Sequence, residues 1–351
     1  MNISLLKKIC ETPGAPGYEI EIRNLILQEL KGINSNVELD NMGNIIVKIE
    51  GRLPKGKRKK IMAAAHMDEI GFIVTHIDDK GFLRFHTLGG FDPKTLTAQR
   101  VIVHGNKKLV GVMGSKPIHV MTAEERTKSV KITDFFIDLG MPKKEVEKYI
   151  NIGNPITRDR ELIEMGDCIN CKSLDNRISV YLLLEVLRNF KKESIDHDFY
   201  AVFTVQEEVG LRGASVATHS INPDFGFGVD TTIAFDVPGA AKHEYITALG
   251  EGVAIKIMDS STISDYRMVE FLKQTAEKEK IKWQPEILTA GGTDTASVQR
   301  SGKNGSIAGA ISIPTRHIHQ VIEMVNKEDV KAGVDLLVAA IKGISKYNWS
   351  F

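Results

Sequence analysis

The sequence predicts an α/β protein in which a smaller β-rich segment is inserted into an α/β layer domain. After about residue 174, apolar runs typical of buried strands alternate with helical patterns, as in layered folds built on a mostly parallel sheet. Between about residues 71 and 167 the apolar runs are shorter and are punctuated by glycine, which is typical of a small barrel or sandwich. The chain has 351 residues, enough for two domains of ordinary size.

The first 70 residues predict one helix and two strands. The helix is expected over Tyr18–Lys31, because apolar residues recur there at helical spacing, at Ile22, Leu25, Ile26 and Leu30. The alternating segment Asn44–Ile49 predicts a strand. The continuous apolar run Ile61–Ala65 predicts a buried strand.

The β-rich segment predicts at least four short strands and one helix. The helix is expected near Lys143–Tyr149. The strands are expected around Phe72–Val74, Phe82–Phe85, Arg100–Val103 and Leu109–Val112.

The last part of the chain returns to the α/β pattern. Asn176–Phe190 is almost continuously apolar and predicts a buried helix. Ser264 is expected to cap a helix running towards Lys280, and Asn326 to cap a final helix. Buried strands are expected at Phe199–Val205, Phe225–Val229 and Ile307–Ile313.

Composition argues against several classes of partner, although it leaves room for a local charged patch. The 46 basic and 45 acidic residues nearly cancel, so no large field attracts nucleic acid or an anionic membrane surface. Residues 1–12 carry no long apolar stretch and no window approaches the length of a membrane span, so we expect neither a signal peptide nor a membrane anchor. Three cysteines fit a reducing compartment, and we expect a cytoplasmic protein. The unaccompanied pair Cys168 and Cys171 is interpreted as structural.

Metal-capable side chains occur at five places, each at the end of an apolar strand or the start of a helix. In open α/β sheets, ligands gather outside the carboxyl ends of the strands, so residues far apart in sequence can meet there. Each place alone has a simpler explanation, such as a helix cap or a solvated loop; their combination indicates a site. The five places are His66–Glu69, Leu174–Arg177, Val205–Gly210, Gly228–Asp230 and Pro314–His319.

Seven motifs carry a resemblance to a known family. They are Pro13–Glu19, Asp40–Asn44, His66–Gly71, Leu174–Arg177, Gln206–Gly210, Gly291–Asp294 and Ile313–Arg316. Together they resemble the cytoplasmic dinuclear aminopeptidases, which include glutamyl aminopeptidase, the tetrahedral (TET) aminopeptidases and proteins once named cellulase M. The resemblance spans essentially the whole chain, and no metal-binding or catalytic position departs from the family pattern.

The resemblance implies a phosphorylase/hydrolase-like three-layer αβα catalytic domain with an inserted β-rich, barrel-like domain. The catalytic domain is expected to be discontinuous, residues 1–69 plus 164–351, and the inserted oligomerisation domain to be residues 70–163. In the family this inserted domain mediates subunit contacts. We therefore expect a dimer-built homo-oligomer, up to a dodecamer.

The resemblance also implies a role for each site residue. Glu207 is expected to be the general base, and Asp68 to fix the ring of His66. Asp175 is expected to bridge two metal ions through its two oxygens. One metal is expected on His66 and Asp230, and the other on Glu208 and His319.

The chemistry of these residues agrees with that assignment. Imidazole and carboxylate ligands suit zinc first, with cobalt and manganese as alternatives. Three carboxylates and a bridging hydroxide balance the charge of two divalent ions, which avoids burying uncompensated charge. Adjacent residues of an extended segment point in different directions, so Glu208 can face a metal while Glu207 faces the substrate.

The predicted function is a metal-dependent aminopeptidase that removes N-terminal residues from peptides with a free N-terminus. A related two-metal amidohydrolase, either a carboxypeptidase or an N-acyl amino acid deacylase, is an alternative. So is a non-catalytic metal-binding assembly module. A cellulase is disfavoured, because glycosidases hold two carboxylates across a sugar whereas Glu207 and Glu208 are adjacent. The preferred N-terminal residue and the roles of Asp294, His317 and His119 stay open.

Overall fold

The computed structural model describes residues 1–34, 36–191 and 193–350, and its strands form one large sheet and one closed barrel. The described strands are, in chain order, β1 (Val37–Leu39), β2 (Ile45–Ile49), β3 (Lys60–His66), β4 (Gly71–Ile77), β5 (Leu83–Leu88), β6 (Arg100–His104), β7 (Lys108–Gly114), β8 (Phe136–Asp138), β9 (Pro155–Arg158), β10 (Ile163–Met165), β11 (Cys168–Cys171), β12 (Asp198–Thr204), β13 (Phe225–Ile233), β14 (Val253–Met258), β15 (Trp283–Ile287), β16 (Ile307–Arg316) and β17 (Glu323–Asn326).

The α-helices of the described residues range from single turns to 17 residues. They are α1 (Ile3–Glu11), α2 (Ile20–Leu30), α3 (Ala123–Thr127), α4 (Lys143–Val146), α5 (Leu174–Phe190), α6 (Arg212–Ile221), α7 (Tyr266–Lys278), α8 (Thr295–Arg300) and α9 (Lys327–Gly343). None of them, within the part of the chain described, combines the length and the apolar composition that a bilayer crossing requires.

The large sheet has a parallel centre and antiparallel flanks. Its order is β1-β2-β12-β3-β13-β16-β17-β11-β10, with β14 pairing both β16 and β15. Strands β12, β3, β13 and β16 are mutually parallel. The expectation of a mostly parallel sheet is therefore wrong for the outer strands, since β2, β14 and β17 join the centre antiparallel. Short connections such as the one between β16 and β17 can join only antiparallel neighbours.

Helices cover both faces of this sheet and complete three layers. On one face, α1, α2, α5 and α9 bury a continuous apolar core, to which α5 contributes side chains along most of its length. On the other face, α6 and α8 pack over a smaller cluster around Met62, Ala64 and Val202. The three-layer αβα arrangement is confirmed.

Both helix caps predicted from the sequence lie within one residue of the caps in the structure. Asn326 caps α9, and its side chain accepts a hydrogen bond from the N–H of Glu328 at 2.8 Å. The cap expected at Ser264 is one residue off: Asp265 caps α7, because its carboxylate accepts the N–H of Arg267. The sequence patterns predict none of the helices α1, α3, α6 and α8.

The inserted segment forms a closed barrel in the order β4-β5-β8-β7-β6-β9, which confirms the barrel-like insertion. Its interior is a separate apolar cluster, with Phe72, Leu83, Val101 and Ile137 fully buried. All six strands lie within residues 71–158. The division of the chain at residues 70 and 163 stays a prediction.

Candidate active site

The candidate residues meet at the carboxyl edge of the parallel strands. His66 is the last residue of β3, and Asp230 lies in β13. The turn that follows β12 carries Glu207 and Glu208. Asp175 lies in the first turn of α5, and His319 lies in the loop after β16. Because β12, β3, β13 and β16 run parallel, their ends bring these segments to one place.

The carboxylate of Asp175 lies between the two histidines. Its Oδ1 is 3.3 Å from Nε2 of His66, and its Oδ2 is 3.4 Å from Nε2 of His319. Each oxygen therefore faces a different imidazole. This is the geometry by which one carboxylate can serve two metal ions.

The remaining carboxylates divide between the two histidines. Asp230 Oδ1 lies 3.7 Å, and Glu207 Oε2 3.8 Å, from Nε2 of His66. Glu208 Oε2 lies 3.4 Å from Nε2 of His319. Three groups have ligand atoms within 4.8 Å of one another: His66 with Asp175 and Asp230, His66 with Glu207 and Glu208, and Asp175 with Glu208 and His319.

Asp68 connects three of these residues. Its Oδ1 accepts the backbone N–H of Glu207 at 3.0 Å, and its Oδ2 accepts the N–H of Glu208 at 3.1 Å. Nδ1 of His66 lies 3.4 Å from Oδ1 of Asp68 and 3.2 Å from its backbone oxygen. Asp68 is therefore placed to orient the turn that bears both glutamates as well as the histidine ring.

Two further side chains, to which sequence patterns assigned no role, hold the same turn. Gln206, just before Glu207, has a left-handed φ of 54°, and Glu19 accepts its N–H at 3.1 Å. Asn44 accepts the N–H of Val205 at 3.0 Å. Glu19 and Asn44 both fall inside motifs that carry the family resemblance, which is the signal that could have pointed to them.

Glu323, in β17, supports Asp175 and was not predicted. Its Oε2 accepts the backbone N–H of Asp175 at 2.8 Å, and the residue is fully buried. Arg158, from the last barrel strand, approaches Oε1 of Glu323 at 3.6 Å. In the sequence, Glu323 cannot be distinguished from a solvent-exposed glutamate of a short strand, so no local pattern identifies it.

Burial and mutual repulsion raise the pKa of most acids in the cluster. Burial raises the pKa of Glu208 to about 7, and it raises the pKa values of Glu207 and Asp230 well above their usual range. Burial also raises the pKa of Asp175, but hydrogen bonds from His319 and His66 outweigh it and lower that pKa below its ordinary value. So many carboxylates buried together require compensating positive charge.

The pKa values of the two histidines are raised as well, which for an imidazole favours the charged form. Burial lowers the pKa of His319, but Glu208 and Asp175 outweigh that effect and raise it to about 9. The pKa of His66 is likewise raised well above its usual value, chiefly by Glu207 and Asp175 against the effect of burial. Protons on the imidazoles therefore compensate part of the negative charge when no metal is bound.

The donor set fits divalent cations. Imidazole nitrogens and carboxylate oxygens are the ligands that zinc, cobalt and manganese accept. Among the described residues, no hydrogen-bond donor satisfies the buried Oε1 of Glu208. Two of the three candidate ligand groups share Asp175.

The three residues whose roles the sequence left open lie in different places. Asp294 is buried beside the cluster, and its Oδ2 accepts the hydroxyl hydrogen of Thr204 at 2.5 Å. His317 lines the cavity in front of the cluster. His119 lies in an exposed turn of the inserted segment and does not line that cavity.

The cavity has a volume of about 800 Å³ and is open to solvent. His66, Asp175, Glu207, Glu208, Asp230 and His319 all line it. A volume of this size suits a small ligand or the end of a peptide.

Comparisons with known proteins agree with this arrangement. The sequence pattern of the M42 glutamyl aminopeptidase family matches residues 43–336. Aminopeptidase APDkam598 from the archaeon Desulfurococcus kamchatkensis has 40% sequence identity and a TM-score of 0.91, over 97% of this chain and 94% of its own. The lysyl aminopeptidase of Pyrococcus furiosus is 31% identical over 99% of this chain and 98% of its own. The Pyrococcus horikoshii TET1 peptidase, which can assemble into a tetrahedron or a large octahedral shell, has 30% identity and a TM-score of 0.86, over 96% of this chain and 98% of its own.

Proposed function

The chain belongs to the M42 glutamyl aminopeptidase family, and from this membership we propose that it is a two-metal aminopeptidase with Glu207 as its general base. That the chain is a peptidase, and that its family works with metals, follows from the family itself. The number of ions, the ligand set and the role of Glu207 are the proposal. The observation that carries it is the carboxylate of Asp175, one oxygen of which faces His66 and the other His319.

The proposed ligand set divides around Asp175. His66 and Asp230 would hold one cation, and Glu208 and His319 the other, with Asp175 shared. When bound, two such cations would lower the pKa of a water molecule and polarise the scissile carbonyl. Zinc is the first candidate for this donor set, with cobalt and manganese as alternatives.

In this ligand set Glu207 binds neither cation, so its carboxylate is available for proton transfer. It accepts a proton from the attacking water and delivers it to the amine that leaves the broken peptide bond. The two hydrogen bonds from the backbone N–H groups of Glu207 and Glu208 to Asp68 fix the turn. Two adjacent carboxylates are thereby held for different tasks.

The alternative amidohydrolases, a carboxypeptidase or an N-acyl amino acid deacylase, use the same kind of metal cradle. They differ in their need for a free amine. With divalent metal present, we expect aminoacyl-p-nitroanilides to be cleaved and their N-acetylated counterparts to be left intact. Cleavage of only the acylated compounds would favour the deacylase.

We also propose a cytoplasmic homo-oligomer, built from dimers, that acts on peptides with a free N-terminus. Support comes from the TET1 peptidase, which assembles into large shells, and from apolar side chains exposed on the barrel. On β7 and the segment after it, Val110, Val112, Ile118 and Val120 are 46–64% exposed. An apolar surface of this kind is typical of subunit contacts.

The substitution Glu207→Gln tests the mechanism. We expect kcat to fall by at least about 100-fold, because the amide cannot accept the proton, while the metal content of the loaded protein stays that of the wild type. Activity on leucyl-p-nitroanilide and metal analysis by mass spectrometry measure the two effects. Glu277→Gln, on the exposed surface of α7, is the matched control and should change neither.

Two outcomes would contradict the proposal in different ways. Unchanged activity in Glu207→Gln would remove Glu207 as the base. A loss of one metal equivalent would make Glu207 a ligand, as in the group that it forms with His66 and Glu208.

A further inference from the structure

The cavity in front of the cluster continues beyond the metal-binding residues into an apolar chamber. Strand β13 leads into it, because the residues from Asp230 to Ala234 all line the cavity. A substrate held at the cluster by its terminal amine and scissile carbonyl would therefore direct its first side chain into this chamber. The apolar residues that line it include Leu211, Ile233, Phe235, Val237, Leu288 and Ile318.

The chamber has one strongly charged wall residue, Lys256, and its ammonium is already paired with two buried carboxylates. Among the described lining residues outside the metal cluster, the titratable ones are Lys256 and the solvent-exposed His317. Lys256 is 1% exposed, and its Nζ lies 3.0 Å from Oδ2 of Asp259 and 3.2 Å from Oε1 of Glu286. One ammonium thus serves two carboxylates.

The partners of Lys256 are themselves held in place. The hydroxyl of Thr232 donates to Oε1 of Glu286 at 2.7 Å. Oδ1 of Asp259 accepts the N–H groups of Ser261 and Thr262 at 2.9 and 2.8 Å. Burial lowers the pKa of Lys256, but Glu286 and Asp259 outweigh that effect and raise it. The ammonium is therefore charged, fully buried and committed to its present partners.

Among the described residues that line this chamber outside the metal cluster, a charged N-terminal side chain would find no unpaired lysine, arginine or carboxylate. A glutamyl carboxylate would meet an ammonium that already pairs with Asp259 and Glu286, and would add a third negative charge to that group. A lysyl ammonium would meet the ammonium of Lys256, because the buried carboxylates of Asp259 and Glu286 do not line the cavity. Either group would lose its hydration without recovering an ion pair. An apolar side chain loses no such hydration and buries its surface against the apolar wall.

We propose that this chamber receives the side chain of the substrate's N-terminal residue and selects uncharged, apolar side chains of the size of leucine, methionine or norleucine. The inference rests on the proposed aminopeptidase function and names its substrate class. Relatives of this chain carry the names of lysyl and glutamyl enzymes; here the ion-paired ammonium of Lys256 and its apolar surroundings set a different preference.

Matched substrates test the preference. Norleucine has the chain length of lysine without its ammonium, and glutamine has the shape of glutamate without its charge. We expect kcat/KM for norleucyl-p-nitroanilide to exceed that for the lysyl compound at least about tenfold, and the glutaminyl compound to exceed the glutamyl one similarly. Equal or faster cleavage of the lysyl or glutamyl compound would overturn the inference and leave the aminopeptidase function standing.

A binding measurement separates the pocket from the reaction. In the metal-loaded Glu207→Gln variant, calorimetry should find that norleucine amide binds more tightly than lysine amide or the α-amide of glutamate. The reverse order would overturn the inference even if no substrate were hydrolysed. If the expected order appears but the wild-type enzyme hydrolyses nothing, the proposed function fails while the chamber's preference holds.

Adding a free cation to the wall gives a second test. Leu288 lines the chamber just after β15, whereas its neighbour Ile287 is 52% exposed and lies outside the lining. We expect Leu288→Arg to raise the ratio of glutamyl to norleucyl turnover at least about tenfold, because the new guanidinium has no carboxylate of its own. Ile287→Arg is the control and should leave the ratio unchanged. An unchanged ratio in Leu288→Arg would place the side-chain pocket elsewhere.

Discussion

Single carboxylates at this site orient several neighbours at once. Both oxygens of Asp68 are occupied by backbone N–H groups of the turn that carries Glu207 and Glu208, and the same residue touches His66. Glu323 likewise holds the backbone N–H of Asp175. These contacts fix where the ligand atoms point, so the geometry exists before any ion arrives.

The titration of the cluster leads to a prediction about metal binding. In the metal-free protein, Glu208 has a pKa of about 7 and His319 a pKa of about 9, so both carry protons at neutral pH or below. A cation must displace those protons. We therefore expect the affinity for Mn²⁺ to rise between about pH 6 and about pH 8.5, with release of protons on binding.

Calorimetry in two buffers of different ionisation enthalpy measures both quantities. The difference between the observed heats gives the number of protons released. An affinity that stays flat across this range, with equal heats in the two buffers, would show that the cluster binds cations without deprotonation and would contradict the assigned ligands.

Close packing between a strand and a helix decides where other parts of the site lie. Helix α8 rests directly on β13, and glycine in the strand leaves the necessary space. A Cβ built on Gly228 would lie 1.8 Å from Oγ1 and 2.9 Å from Cβ of Thr295, the first residue of α8. This approach also brings Asp294, at the start of the helix, against Thr204.

We expect Gly228→Ala to destabilise the protein by about 1–3 kcal/mol, because the helix must move away from the sheet. Urea unfolding followed by circular dichroism measures the change. Gly56→Ala is the matched control: nothing lies within 4 Å of its added Cβ, so the free energy of unfolding should change by less than about 0.5 kcal/mol. Equal stability of the two variants would mean that α8 does not pack as closely as described.

At the scale of the whole molecule, the barrel is linked to the candidate cluster. Arg158, at the end of the last barrel strand, donates a hydrogen bond to the backbone oxygen of Gln320 and approaches Glu323. Gln320 follows His319 directly, and Glu323 holds Asp175. The inserted domain therefore contacts both the loop and the strand that position one half of the cluster.

The barrel also presents the apolar surface expected of a subunit contact. We expect the wild-type protein to have a mass well above that of the 38.9 kDa chain in size-exclusion chromatography with light scattering. Substitution of both Val110 and Val112, which lie two residues apart on β7 and so share one face, by aspartate should shift the protein to smaller species. Ile263→Asp, at a 73% exposed position outside the barrel, is the control and should leave the mass unchanged. A monomeric wild type would end the proposal of assembly.

Some features of the fold were readable from sequence because they are local. The strand β3, the capped helix α9 and the glycine-punctuated barrel strands depend on periodicity, caps and turn residues within short segments. The family motifs likewise contain His66, Asp175 and Glu208, whereas Asp230 and His319 were marked by their places at the ends of apolar strands. Helix α6 could not be predicted, because its residues Arg212–Ile221 mix small and polar side chains and give no clear apolar periodicity. The antiparallel flanks of the sheet could not be predicted either, because the direction of a strand leaves little trace in its composition.

The sequence by itself determined which side chains capable of binding metal stand at strand ends, and that a barrel interrupts the α/β domain. Only the tertiary structure decided that the two oxygens of Asp175 face different histidines, that Asp68 holds both glutamates, and that the ammonium of Lys256 pairs with two buried carboxylates. The physical reason is that these contacts join residues far apart in the chain or depend on the exact direction of a side chain. The strand order and the close packing of the layers determine which distant residues meet and where each side chain points.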